Sequence, residues 1–188
     1  LAEHILREHS RGGKFRISVM TGASTSSELD GALAMVDGIE LRMPYNGVCH
    51  DFAMTREHAI FTVMPLTVDV ARMKAGGDFY AWDPSVQPMY GVMPRSGTTK
   101  DIRWFEVPGA MIAHFMNAWS EGDKVFVDGF AAPGNSFAFF NDVNGNPTPN
   151  AVADSKLTRV TIDLSRADGK AQLTGFDKAI GEMPKMDE

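Results

Sequence analysis

Short apolar runs broken by turn residues dominate this chain. Ala59-Ile60-Phe61-Thr62-Val63, Met89-Tyr90-Gly91-Val92-Met93 and Val125-Phe126-Val127 are all of strand length. They are bounded by polar or turn-forming stretches such as Thr55-Arg56-Glu57, Pro94-Arg95-Ser96-Gly97 and Ser120-Glu121-Gly122-Asp123. Leu157 to Leu164 alternates, with Val160, Ile162 and Leu164 on one side and Arg159, Thr161 and Asp163 on the other, the period of a half-buried strand. Phe15–Met20, Phe79–Trp82, Ile102–Val107 and Ala171–Phe176 read as further strands, and Leu33–Met43 as two short strands hinged at Asp37-Gly38. Helical spacing is scarce. Leu66, Val70 and Met73 ahead of Gly76-Gly77 predict a short helix or ordered excursion, and Leu1–His9 one or two polar turns. Thr21–Ser27 reads as a loop. Roughly ten short strands with regularly spaced turns define an all-β chain: a sandwich, a barrel or a propeller.

Two of these strands carry a histidine in an apolar row. In Cys49-His50-Asp51-Phe52-Ala53-Met54-Thr55, alternation puts His50 on a face with Val48, Phe52 and Met54. In Ile112-Ala113-His114-Phe115-Met116-Asn117-Ala118, it puts His114 with Ile112, Met116 and Ala118. A polar turn and a second apolar strand follow each. One such histidine alone is ordinarily a core residue bonded to a carbonyl. Repetition of the hairpin points instead to repeated units aiming imidazoles at a common centre, where they would bind a metal, although two imidazoles are too few to hold most metals. The spacing of the two strands suits a four-stranded blade carrying an insertion. A propeller, whose inner strands all face one axis, accounts for the convergence better than a sandwich does.

Other residues qualify this picture. Asp51 falls on the opposite strand face from His50, and both Asp51 and Asn117 suit backbone hydrogen bonds at a strand end as well as a catalytic role. Phe137, Phe139 and Phe140 crowd a Gly/Pro/Asn-rich loop, where they either pack beneath it or line an apolar substrate cavity. Cys49 alternates away from His50 and reads as packing, Trp104 and Phe105 as core, and His4 and His9 as solvated surface.

Composition narrows the class. A length of 188 residues suits one ordinary domain, and 44% hydrophobic with 22% charged residues suits a soluble globular chain. A formal charge of −6, without any Lys/Arg cluster, argues against a nucleic-acid surface. The single cysteine excludes an internal disulfide and fits a reducing compartment. Leu1–Met20 lacks the apolar core of a signal peptide, and the apolar runs are only strand-long, so a cytoplasmic protein with no membrane-spanning segment is expected, and membrane contact is not indicated. There is no Gly-rich phosphate loop and no serine in a nucleophile elbow. The chain starts at Leu1 rather than Met and reads as a piece of something longer.

Several segments together resemble the carotenoid cleavage oxygenase family, and most closely its bacterial lignostilbene dioxygenase branch. They are His50-Asp51-Phe52-Ala53-Met54-Thr55 with Met64-Pro65-Leu66-Thr67, then Ala81-Trp82-Asp83-Pro84 and Pro94-Arg95. Trp104-Phe105, His114-Phe115-Met116-Asn117-Ala118, Leu157-Thr158-Arg159 and Gly181-Glu182-Met183-Pro184 follow in the family's order. The likeness runs from about Val36 to Lys185. It leaves residues 1–35 as a poorly matched N-terminal segment and 36–188 as the central blades, three to four of a seven-bladed β-propeller.

The resemblance implies a non-haem Fe(II) on the propeller axis held by four histidines. It also implies cleavage of a C=C double bond of a stilbenoid or apocarotenoid by O₂ into two carbonyl products. The partners so implied are a small apolar or phenolic alkene and O₂. His50 and His114 match the second and third iron ligands, and Glu182 an outer carboxylate orienting the imidazole of His114, which would fix its tautomer and ring direction. The first ligand belongs to a His-Pro segment with no counterpart here, and the fourth would lie beyond Glu188. Ser120 stands where the family usually has Glu. The isolated chain is therefore expected to be inactive and to bind iron poorly. The alternative is a catalytically inactive propeller module, for binding or scaffolding, that does not need the two histidines.

Overall fold

Alternation and turn chemistry produce twelve strands and one short helix among the described residues. The computed structural model describes residues 14–18, 38–109, 111–149 and 154–175. The chain divides into two units, Leu1–Met43 and Pro44–Glu188. In the first, β1 (Lys14–Ser18) pairs antiparallel with β2 (Gly38–Arg42), Phe15 opposite Leu41 and Ile17 opposite Ile39. Gly38 is the first residue of β2, whose ladder partner is the distant β1, and residues 33–37 of the hairpin expected at Asp37-Gly38 lie outside the described residues. The expected turns of helix at Leu1–His9, with His4 and His9, and the loop at Thr21–Ser27 lie outside the described residues.

The second unit contains two four-stranded antiparallel sheets. One is built from β3 (Phe52–Met54), β4 (His58–Val63), β7 (Met89–Pro94) and β8 (Arg103–Glu106), in that order across the sheet. The other is built from β9 (Met111–Glu121), β10 (Lys124–Ala132), β11 (Lys156–Asp163) and β12 (Gln172–Gly175), again in chain order. Such meanders need only short antiparallel connections, which the turn residues supply. Gly122, at φ 59, makes the tight turn between β9 and β10. Between β4 and β7 comes the anticipated insertion: β5 (Leu66–Val68), α1 (Val70–Lys74) and β6 (Tyr80–Trp82), with β5 and β6 pairing as a separate ribbon. Asp69 caps α1 by accepting from the Arg72 backbone N–H at 2.9 Å.

The sheets pack through their apolar faces. Ala53, Ile60, Tyr90, Val92 and Phe105 of the first meet Ile112, Ala118, Val125, Val127, Val160 and Ile162 of the second. Each fully buried side chain of this size contributes about 1.5–3 kcal/mol relative to exposure. Ties at the outer edge reinforce the contact: Arg103 donates to the Arg166 carbonyl at 2.7 Å, and the Glu106 N–H to the Gly169 carbonyl at 2.6 Å. On its other face the second sheet buries an ion pair. Arg159 Nε and Nη2 reach the two carboxylate oxygens of Asp128 at 2.8 and 3.0 Å, with the guanidinium over the Trp119 ring.

A smaller apolar cluster joins Met64, Leu66 and Met111 to Val48, Trp82, Ala113, Phe137 and Phe140. The loop that follows β10 is pinned there, because Trp82 N–H donates to the Asn141 carbonyl and Val143 N–H to the Trp82 carbonyl. No helix among the described residues is long and apolar enough to cross a membrane.

Candidate metal centre

β3 and β9 are the first strands of their sheets, and each forms an edge. The two edges run beside one another, and this brings the two histidines together. The ring centroids of His50 and His114 lie 4.9 Å apart, edge to face at 72°. Both residues are exposed. His50 sits just ahead of β3 rather than within it, in a stretch anchored by the Val48–Met64 bridge. Around the pair stand Phe52, Met54 and Met116, each 40–49% exposed and apolar. The Phe137 ring lies 5.7 Å from His50.

His114 does not share a face with Ile112 and Ala118, as unbroken alternation would require. Ile112 and Ala118 are buried in the inter-sheet core, while His114 and Met116 are exposed. The cause is irregular pairing between β9 and β10, whose register shifts on both sides of Gly129. A bulge moves a strand's side chains to the other face. Gly129 permits it by close approach: a Cβ there would stand 2.7 Å from Ile112 Cγ2 and 3.0 Å from the His114 carbonyl oxygen.

Asp51 points inward, away from the imidazoles. Its Oδ1 accepts from its neighbour's N–H at Phe52 (2.8 Å), and its Oδ2 from Phe115 N–H on β9 (3.0 Å). Of the two roles open to it, the structure shows the backbone one. Cys49 is half-buried, and burial pushes its thiol up to about 12, which disfavours the thiolate near neutrality. The phenylalanines divide. Phe137 and Phe140 pack against the Met64 cluster, while Phe139 stands 76% exposed. Glu182 lies outside the described residues.

A further imidazole escaped the sequence reading. His58, at the start of β4, contacts Ser120 Oγ through Nδ1 at 3.1 Å, and Ser120 donates to Thr55 Oγ1 at 2.7 Å. Thr55 also accepts the His58 backbone N–H at 2.9 Å. Ser120 Oγ thus bridges the His58 imidazole and the Thr55 hydroxyl. Partial burial holds the His58 imidazole below its ordinary 6.5. This cluster ties the β3–β4 turn to the far end of β9. Ser120 is thus part of a tie between sheets. Its signal in the sequence was only a Thr-x-x-His turn and a serine far along the chain.

The chain belongs to the retinal pigment epithelial membrane protein family, the carotenoid cleavage oxygenases, whose profile matches residues 10–188. It is 38% identical over 146 residues to the isoeugenol monooxygenase of Pseudomonas putida, covering 78% of this chain and 30% of that protein. Lignostilbene-alpha,beta-dioxygenase isozyme III of Sphingomonas paucimobilis is 35% identical over 164 residues, covering 85% of this chain and 34% of that one. The crystal structure of Pseudomonas brassicacearum lignostilbene dioxygenase superposes with a TM-score of 0.68 at 36% identity, over 75% of this chain and 30% of that one. The chain thus spans about a third of the length of these relatives, all of them oxygenases by name.

Proposed function

We propose that this chain forms the central part of a non-haem Fe(II)-dependent dioxygenase that cleaves a C=C double bond of a stilbenoid or apocarotenoid with O₂. Two carbonyl products result. The observation that carries the reading is the meeting of His50 and His114, 4.9 Å apart, from the leading strands of successive sheets in a chain of this family. On this reading each four-stranded sheet is one blade of a seven-bladed propeller, with β3 and β9 nearest its axis.

The donor chemistry suits the metal. Two neutral imidazoles, with the neighbouring Asp51 carboxylate committed to backbone N–H groups, leave a bound Fe(II) its full positive charge. The iron, when bound, supplies the activation of O₂. His50 and His114 would hold two of its positions, and Glu182 would orient the second imidazole. Phe52, Met54, Met116 and Phe137 offer apolar surface to the alkene and keep water from it.

A second reading is a binding or scaffold module that does not need the two histidines. The experiment that separates the readings replaces the matching segment of the Pseudomonas brassicacearum enzyme with residues 44–175 of this chain. The chimera, loaded with Fe(II), is given a hydroxylated stilbene and its aldehyde products are measured. Cleavage that disappears in the His50→Ala and His114→Ala chimeras supports the oxygenase. A chimera that cleaves at full rate without either histidine overturns it, and iron-independent binding of the stilbene supports the module.

A further inference from the structure

We infer that Asp51 is a positioning residue that sets the separation of the His50 and His114 rings. The inference rests on the metal-site reading above and goes beyond it, because it names what brings the half-sites from two sheets into register.

β3 and β9 are edges of different sheets, and no ladder joins them. Beside the imidazoles the sheets meet through apolar packing, which is non-directional and tolerates sliding along a strand, and the Thr55–His58–Ser120 tie lies at the far end of the two strands. A directional tie is needed to hold two imidazoles at one distance. The Asp51 carboxylate is that tie. It is covalently next to His50, and its Oδ2 accepts the N–H of Phe115, which is covalently next to His114. Its other oxygen is held by the Phe52 N–H, so the carboxylate cannot swing.

The Phe115 N–H is available because β9 is an edge strand, whose outward N–H groups have no ladder partner. The register shift beside Gly129 turns His114 outward, and Asp51 takes up the adjacent N–H and fixes His114 against His50. A bond from an ionised carboxylate to a backbone N–H is among the stronger hydrogen bonds.

The test uses the 188-residue chain and two variants, Asp51→Ala and Asp51→Asn. Asparagine keeps one acceptor oxygen but presents an NH₂ in place of the other, so it keeps one backbone tie and the volume of the side chain. Nuclear Overhauser contacts between the ring protons of His50 and His114 report their separation without metal. They are expected in the parent chain, and expected to vanish in Asp51→Ala and weaken in Asp51→Asn, while inter-sheet contacts such as Ile60 to Val125 persist.

Co(II) titration then reads function by paramagnetic broadening of the same ring resonances. In the parent chain both rings should broaden together, and in Asp51→Ala they should broaden separately, at roughly 10–100-fold higher Co(II). Ring contacts and joint broadening unchanged in Asp51→Ala would overturn the positioning role and leave the metal reading standing. Ring contacts that depend on Asp51, without any joint broadening in the parent chain, would support the positioning and sink the metal reading. If Asp51→Ala does not fold, Asp51→Asn decides by the same two measurements.

Discussion

Gly129 shows how one missing methyl group shapes the site. Alanine there would force its Cβ to within 2.7 Å of Ile112 Cγ2 and 3.0 Å of the His114 carbonyl, so β9 must move away from β10. The expected loss is about 1–3 kcal/mol in a urea unfolding curve, typical of overpacking. Because His114 moves with β9, its ring should also part from His50, a change that nuclear Overhauser contacts would detect. Asp128 is sensitive for a different reason. Its carboxylate is the double acceptor of a guanidinium that is itself only 3% exposed. Asp128→Ala takes both carboxylate acceptors from a buried guanidinium, and the expected cost is about 3–5 kcal/mol in the same measurement. Arg159→Met with Asp128→Leu should recover most of it, since an apolar pair removes the charge together with its partner.

The strand pair β3 and β9 is held at its far end by Thr55, His58 and Ser120, and that tie should respond to acid. His58 binds protons less readily in the fold than in the unfolded chain, because partial burial disfavours the imidazolium. Between 6.5 and its lower folded value the unfolded state holds more protons, so stability is complete above about pH 6.5 and declines as the pH falls. Unfolding curves at several pH values should show this decline, and His58→Gln should flatten that part of it.

The same elements show what the sequence could reveal. The strands were legible because alternation is a local property, and the two imidazoles because each stands out in an apolar row. The facing of Ile112 and Ala118 was not, since a bulge depends on which residue of β10 lies opposite. Nor was the pairing of β2 with β1, because the two strands are far apart in the chain. His58 stayed hidden because its partner Ser120 lies sixty-two residues on in the chain. Asp51 was placed opposite His50, but the N–H it holds belongs to a strand of the other sheet.

The whole of the Pro44–Glu188 unit bears on whether the two imidazoles meet at all. The two sheets share one apolar core, in which Ile60, Tyr90 and Phe105 of one are buried with Val125, Val160 and Ile162 of the other. Separating the sheets would expose both faces at once, so the two should unfold as one cooperative body. The three tryptophans make this measurable, since Trp82 lies on the β5–β6 ribbon, Trp104 on β8 of the first sheet and Trp119 on β9 of the second. In variants that keep a single tryptophan, the urea midpoints for Trp104 and Trp119 should coincide, and Trp82, tied to the loop at Asn141 and Val143, should follow them. Metal bound jointly by His50 and His114 exists only while the sheets are docked. Its stabilisation, about 2.7 kcal/mol at a hundred times the dissociation constant, should therefore displace the Trp104 and Trp119 transitions equally. A metal that moved only one of them would be bound within a single sheet, and the two histidines would then not act as a pair.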